Sequence, residues 1–306
     1  MKPVFIMMVG LPGSGKSTIS KKLGYKIFSS DEYREKLLGD VNDQSGNDKV
    51  FRALHNDIKE CLLNEESCIL DATNISRKSR KKLLDYIKDI SCTKIASVVC
   101  PPWSTVIAQN SSRERLVPFE VLERMIRQFE FPQKFEGFDE IIVHNNYTTE
   151  CEKYLTQKMK DMSGFNQYNP HHIYDLAGHC IRVANKFPSY DVRHEVGYIH
   201  DIGKLYTQRF DDKGVAHYYN HDNIGTYIVA SYTDFGAVAN TRNLLKMFYI
   251  NYHMRAHNDF CTAKAEKKYR ALFGDELFDS LMEFAEADRL ATGTYKEKKD
   301  DRPGIN

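Results

Sequence analysis

The segment Gly10-Leu-Pro-Gly-Ser-Gly15-Lys16-Ser17 matches the spacing G-x-x-x-x-G-K-[ST]. Glycines let backbone N–H groups turn inward on an anion, and a helix opening here adds the partial positive charge of its N-terminus. Lys16 is the counter-charge for β/γ-phosphates, and Ser17 is a ligand for Mg²⁺. Gly10, Gly13, Ser14, Gly15 and Thr18 complete a cradle whose expected occupant is ATP. The next question is where the phosphoryl group goes. Asp31, in Ser30-Asp-Glu-Tyr-Arg34, has the chemistry to take a proton from an attacking hydroxyl, and Arg34 the charge to hold an anionic acceptor. Asp31 reads equally as a helix N-cap, and the two roles are compatible. Asp71, in Asp-Ala-Thr-Asn74, is either a carboxylate that holds magnesium through water or the end of a strand turning into a loop. Asn110-Ser-Ser-Arg113-Glu-Arg115 precedes Val117-Pro118 and reads as a lid over phosphates or as a solvated charged face.

The second half offers different chemistry. Most of the eleven histidines fall between His171 and His257. His179, the adjacent pair His200-Asp201, and Asp288 lie on separate helical patterns, from which imidazole and carboxylate groups converge on a divalent metal. Read singly, each is a hydrogen-bonded core residue. Lys204 follows the pair by one helical turn, placed to hold a phosphate oxygen. His171, His172, His217 and His257 receive no assignment, and Tyr218-Tyr219 is a possible base-stacking pair among 18 tyrosines.

These residues need elements to hold them. Apolar runs at Val4–Val9, Ile27–Ser29, Cys68–Asp71, Lys94–Val99 and Glu140–Val143 predict strands. Helical patterns lie between them, from Ser17, from Asp31, around Lys49–Asn64, from Ser76 to Ile90 and across Ser104–Gln128. Alternating elements with fully apolar strands predict an α/β domain whose parallel sheet is covered on both faces. After Asn146 strand-like runs disappear, and His172–Lys186, Arg193–His200, His221–Ser231 and Glu276–Leu290 predict an all-α second domain. The expected division is 1–150 and 151–306, with the passage near 147–165 on a connecting helix.

Composition narrows the classes. The chain has 306 residues, 42% hydrophobic and 28% charged, which suits about two globular domains and excludes global disorder. No apolar run reaches the roughly 18–20 residues of a membrane helix, and Val4–Val9 is too short for a signal core. With 43 basic and 42 acidic residues, bulk electrostatic coating of nucleic acid is excluded, while gripping a strand end with a few cations is not. Seven cysteines without a C-x-x-C pair read as reduced thiols of a cytoplasmic protein.

Taken together, Gly-x-Pro-Gly-Ser-Gly-Lys-Ser, Ser-Asp-Glu-Tyr-Arg, Asp-Ala-Thr-Asn, Pro102-Trp103-Ser104 and Asn-Ser-Ser-Arg resemble the phage-type polynucleotide 5′-hydroxyl kinases over most of residues 1–140. The resemblance implies that Asp31 is the general base, that Arg34 contacts the acceptor's 3′-phosphate, and that Arg113 is a lid arginine on the donor phosphates. It departs at Gln109, where a second lid arginine is expected, so donor-phosphate contacts are either weaker or supplied by Arg115. From His171 to Asp288 the chain resembles the HD phosphohydrolase superfamily, with its H…HD…D metal site. The opening Asn169-Pro-His-His-Ile-Tyr-Asp-Leu-Ala-Gly-His179 is similar to HD domains appended to bacterial tRNA nucleotidyltransferases. That resemblance implies an all-helical fold, ligation by His179, His200, Asp201 and Asp288, and His221 and His253 as candidates for a second ion, two ions clamping the attacking and leaving oxygens of a phosphoester; the donor chemistry itself accepts Mn²⁺, Ni²⁺ or Co²⁺, and Mg²⁺ or Fe²⁺ as well. It also implies phosphodiesterase or phosphatase activity on 2′,3′-cyclic and 2′-phosphate ends.

The two resemblances combine into one expectation: an enzyme that phosphorylates 5′-hydroxyl ends and removes 3′-terminal or cyclic phosphates, healing nucleic-acid ends, RNA ahead of DNA. Alternatives are a small-metabolite kinase joined to an HD nucleotidase or dNTP phosphohydrolase, and a nucleotide sensor without turnover.

Overall fold

The architecture is that of a computed structural model, which describes residues 2–260 and 262–293. Cys261 and the charged stretch from Lys296 to Asn306, expected to fray, lie outside the described residues. The chain divides into two units, Met1–Tyr147 with Asp234–Asn240, and Thr148–Thr233 with Thr241–Asn306.

In the first unit, β1 (Val4–Val9), α1 (Lys16–Lys22), β2 (Lys26–Ser29), α2 (Ser30–Leu38), α3 (Asn47–Leu63), β3 (Cys68–Asp71), α4 (Arg77–Tyr86), β4 (Thr93–Val99), α5 (Trp103–Ser111), α6 (Phe119–Ile126) and β5 (Glu140–His144) alternate as the sequence predicts. The strands pair in parallel in the order β2-β3-β1-β4-β5. β1 is central and its residues from Phe5 onward are buried, which is why it reads as an unbroken apolar run. On one face Ile6, Met8, Ile69 and Val99 form a cluster with Val4, Ile19, Ile27 and Ile95 packed against it. Parallel pairing brings the carboxyl ends of β1, β2 and β3 to one edge of the sheet, where Gly10 follows β1, Asp31 opens the helix after β2 and Asp71 ends β3. The pattern across Ser104–Gln128 is two helices: α5 stops at Ser111, and α6 starts behind Pro118, whose missing N–H is no loss at a helix start. Asp234–Asn240 returns to this unit: Ala239 N–H donates to Ile141 O at 2.9 Å, and Phe235 stacks on Phe131.

The second unit contains α7 (Thr149–Asp161), α8 (Leu176–Ala184), α9 (Val192–Ile199), the short α10 (Lys204–Thr207), α11 (His221–Ser231), α12 (Thr241–Asn258), α13 (Ala263–Phe273) and α14 (Asp275–Ala291). The expectation of helices alone is corrected by a two-stranded antiparallel hairpin, β6 (Arg209–Phe210) and β7 (Ala216–His217). Asp211 makes that turn locally: its Oδ1 accepts from the N–H groups of Lys213 and Val215 at 2.9 Å each. The helix predicted from His172 begins only at Leu176, because Asp175 caps it by accepting from Gly178 N–H at 2.7 Å.

The most demanding interaction in the first unit is ionic. Arg80 is fully buried, and its Nε and Nη2 donate to Glu136 at 2.7 and 2.8 Å. Its Nη1 reaches the carbonyls of Asn74 and Glu130 at 3.0 and 2.9 Å. Asn74 in turn donates to Met8 O at 2.8 Å, and Gly10 N–H donates to Thr73 O at 2.9 Å. The pair therefore fixes the Asp71–Asn74 turn against the phosphate-binding loop. Arg80→Leu strands a buried carboxylate and should cost about 3–5 kcal/mol, read as a lowered thermal midpoint. Arg80→Leu/Glu136→Leu should recover much of that loss in the same melting experiment.

Candidate functional site

The phosphate-binding loop depends on glycine at one point above all. A Cβ on Gly10 would lie 2.4 Å from Val99 O, so only glycine lets the loop leave β1 beside β4. Lys16, in the first turn of α1, is buried, and its ammonium donates to Leu11 O at 2.7 Å. Burial lowers its pKa to about 8 even though Asp71 and Asp31 attract the charge; Arg113 lowers it further. Lys16 therefore feels the charges of Asp71, Arg113 and Asp31 at the same sheet edge. Ser17 and Thr18 are exposed at the helix start, and the Ser14 hydroxyl is buried without a hydrogen-bond partner. Ser17 and Asp71 offer the hard oxygen donors that suit Mg²⁺.

Asp31 is not the N-cap of α2. Ser29 holds that position, its hydroxyl accepting from Glu32 N–H at 3.4 Å, because the helix begins one residue before Asp31. The carboxylate is thereby released for ion pairing. Arg34 Nη1 lies 2.8 Å from Asp31 Oδ1, and Arg115 Nη1 lies 2.9 Å from Oδ2. Arg34 is buried and is also held by Asn47 Oδ1, 3.2 Å from both Nε and Nη2. Arg115 also binds Asn42 Oδ1 and Val41 O. The sequence offered Arg115 as one source of donor-phosphate contacts in place of Gln109; the structure sets it on the Asp31 carboxylate. Arg113 is exposed.

In the second unit, His179 comes from α8, His200 from the end of α9, Asp201 from the turn that follows, His221 from the first residue of α11, His253 from α12 and Asp288 from α14. Each of these residues is less than a tenth exposed. Gly203 permits the approach of two of these elements, since a Cβ there would sit 2.0 Å from His221 O. The six side chains form two groups. His179 Nε2 is 2.9 Å from Asp288 Oδ1 and 3.4 Å from Asp201 Oδ2, while His200 Nε2 is 3.5 and 3.4 Å from the same atoms. The other Asp201 oxygen, Oδ1, faces His221 Nε2 at 3.0 Å and His253 Nε2 at 3.5 Å. Asp201 thus belongs to both.

Hydrogen bonding settles the tautomers. His200, His221 and His253 each point Nδ1 at a backbone carbonyl, of Gly197, Tyr218 and Ile250, at 2.9, 2.6 and 2.8 Å. A carbonyl only accepts, so Nδ1 carries the hydrogen and the neutral ring presents a lone pair on Nε2. The Nε2 atoms of His221 and His253 are only 3.2 Å apart, with a carboxylate oxygen beside them. Electron-rich atoms converge this way only around a proton or a cation. The Nε2 atoms of His179 and His200 are buried and lack a partner in hydrogen-bond geometry. Both groups therefore fit a divalent ion of the imidazole–carboxylate class, which includes Mn²⁺, Ni²⁺ and Co²⁺. Burial opposes charge on Asp201, yet Lys204 and His200 hold its carboxyl well below the usual range. Asp288 is held down in the same way by His200, His179 and His257.

Lys204 Nζ is 2.7 Å from Asp201 Oδ2 and donates to Gln167 at 3.0 Å, so it is tied to the shared carboxylate. Two neighbours went unassigned in the sequence. His257 Nε2 lies 2.9 Å from Asp288 Oδ2, and its spacing of one helical turn from His253 was the available signal. Cys180 Sγ lies 3.9 Å from His200 Nδ1 and had no such signal. Asp201, Lys204, His221, His257 and Asp288 open on a cavity of about 530 Å³.

The first unit is a parallel-sheet α/β domain of the P-loop kinase type. Residues 5–132 match the family model described as AAA domain. The chain is 28% identical over 138 residues to an L-seryl-tRNA(Sec) kinase of Methanococcus maripaludis, covering 42% of this chain and 53% of that protein. It is 33% identical over 132 residues to the 6-phosphofructo-2-kinase/fructose-2,6-bisphosphatase 3 of Rattus norvegicus, covering 35% of this chain and 23% of that one. It thus spans about half the length of the first relative and about a quarter of the second. Similar solved structures include a chain of the Pnkp1/Rnl/Hen1 RNA repair complex, at 22% identity and TM-score 0.37 over 42% of this chain and 44% of that one. A sugar kinase from Janibacter matches at 17% identity and TM-score 0.36, over 46% of this chain and 84% of that chain. Both sequence relatives are named as kinases. Among the described residues no helix is long and apolar enough to cross a membrane.

Metal content tests the two groups directly. After loading with Mn²⁺ and desalting, the wild type should retain about two ions per chain, His221→Ala about one and Asp201→Ala close to none, by elemental analysis. Chelation should lower the thermal midpoint of the wild type by several degrees and leave Asp201→Ala nearly unmoved.

Proposed function

We propose that this chain is a bifunctional end-healing enzyme for RNA: an ATP-dependent 5′-hydroxyl kinase followed by an HD-type, metal-dependent phosphohydrolase. The observation that carries the reading is Asp201 shared between two buried histidine groups, on the same chain as a phosphate-binding loop. Two phosphate chemistries in one protein have a common logic if one end of a broken strand must gain a phosphate and the other must lose one.

In the kinase half, Lys16 neutralises the donor's β/γ-phosphates, and Arg113 supplies a further cation from the lid. Asp31 accepts the proton of the 5′-hydroxyl as its oxygen bonds to the γ-phosphorus and ADP leaves. Arg34, fixed by Asn47 and adjacent to Asp31, supports an acceptor that carries its own phosphate near the reacting hydroxyl. Arg115 orients Asp31 from the other side. In the HD half, His179, His200, Asp201 and Asp288 would hold one ion, and Asp201, His221 and His253 a second. When bound, the ions supply Lewis-acid polarisation of water and of the phosphate. Lys204 holds Asp201 in its shared orientation and presents a positive charge toward the cavity. The net reaction adds water across a P–O bond, opening a cyclic ester or releasing inorganic phosphate.

A second reading is a small-metabolite kinase joined to an HD nucleotidase. The likeness to 6-phosphofructo-2-kinases favours it. The likeness to an L-seryl-tRNA(Sec) kinase favours the RNA acceptor.

Two labelled RNAs separate the readings, one with a 5′-hydroxyl and one with a 2′,3′-cyclic phosphate, each incubated with ATP, Mg²⁺ and Mn²⁺. Asp31→Asn should lower kcat for 5′-phosphorylation about 10²–10⁴-fold, leave ATP affinity unchanged and leave 3′-end hydrolysis intact. Asp201→Ala should do the reverse. Transfer by the wild type to free sugars or nucleosides but not to RNA would overturn the proposal in favour of the second reading.

A further inference from the structure

The cavity at the metal donors has a wall that the phosphate chemistry does not use. His217 ends the hairpin, and Tyr218, Tyr219 and Asn220 lead from it into α11; all four line the cavity. The rings on this wall are held by polar contacts. His217 Nε2 sits 3.1 Å from Asp211 Oδ2. The Tyr218 hydroxyl donates to Gln167 O at 2.6 Å and accepts from Gln208 Nε2 at 2.7 Å. The Tyr219 ring lies parallel to His217, with an interplanar angle of 3° and centroids 5.7 Å apart. Yet Tyr219 is 68% exposed. An aromatic ring set parallel to its neighbour and left largely in water beside a cavity is a surface for another flat ring.

Its position is tied to the metal donors. Tyr219 is two residues from His221, a chain span of at most about 7 Å, and Tyr218 O accepts from His221 Nδ1 at 2.6 Å. Lys204, bound to Asp201, lies 5.4 Å from the centre of the Tyr218 ring. A group stacked on Tyr219 is therefore within one nucleotide's reach of a phosphate at Asp201 and His221. A cavity of about 530 Å³ has the size of a small-ligand pocket and accommodates a nucleotide.

We propose that Tyr219, braced by His217, is a nucleobase platform that stacks the terminal base of a nucleotide whose phosphate is presented to the metal donors. This rests on the phosphohydrolase reading for the position of the phosphate, and it names the substrate class: phosphate-ended nucleotides, in preference to base-free phosphoesters. Stacking uses the π-face common to all four bases, so the platform selects for a base without selecting its identity.

The test uses the full-length, Mn²⁺-loaded protein and RNAs with a 3′-phosphate on either an ordinary or an abasic terminal nucleotide. Tyr219→Ala should raise KM for the base-bearing end about 5- to 150-fold with kcat unchanged, and leave KM for the abasic end where it was. Tyr219→Phe should behave as wild type, and none of these variants should change metal content. A second readout needs no turnover: an RNA ending in 5-iodouridine 3′-phosphate should photo-crosslink to the peptide containing Tyr219. Equal KM changes on both RNAs, or a crosslink that maps elsewhere, would overturn the platform. If the wild type hydrolyses neither RNA, the hydrolase reading fails, and the crosslink alone decides whether Tyr219 stacks a base.

Discussion

A carboxylate 2% exposed to solvent governs the second unit. Asp201 has lost nearly all hydration, and bringing a bare charge into such a place costs several kcal/mol unless partners replace the water. Its two oxygens recruit different partners, Oδ2 facing His179, His200 and Lys204, and Oδ1 facing His221 and His253. Those groups come from five elements, so satisfying one side chain sets how α8, α9, α10, α11 and α12 meet. α14 joins through Asp288. The close passage at Gly203 and the carbonyls that orient the imidazoles serve the same requirement.

The first unit meets the converse problem with a nearly solvent-facing carboxylate. Asp31 sits between two guanidiniums at the carboxyl edge of the sheet, half exposed, where ion pairs contribute little to stability. Their value is positional: Arg34 and Arg115 approach different oxygens and fix the carboxylate plane. The stabilising ion pair of this unit lies elsewhere, at Arg80 and Glu136, and through Asn74 it supports the loop under the phosphate site. Stability and positioning are thus separated, with the buried pair holding the loops and the two pairs at Asp31 orienting its carboxylate.

The parallel sheet was legible because β1, β3 and β4 are covered on both faces and so read as unbroken apolar runs of strand length. α12 was not legible. Asn243, Leu244, Met247, Phe248, Tyr249, Ile250, Asn251, Tyr252, His253 and Ala256 are all buried, so the helix shows no polar face and no 3.6-residue stripe. The hairpin was missed because two-residue strands are too short to show a period. The N-cap at Ser29 was missed because Asp31 is also a good capping residue, and local propensity cannot choose between neighbours.

The sequence by itself determined the phosphate-binding loop and the strand run around it, and only through a family resemblance did it single out the six His and Asp side chains that the structure brings together. Such features are written in local spacing: glycine where a backbone must pass another, a lysine at a helix start, apolar runs where both faces are covered. Only the tertiary structure decided that Asp201 belongs to two groups, that His257 reaches Asp288, that Arg115 turns to Asp31 and that Tyr219 stands over the same cavity. Those pairings join residues up to 84 positions apart. They follow from how helices and strands must cross to bury their apolar faces and pair their charges, and no short-range pattern encodes that crossing.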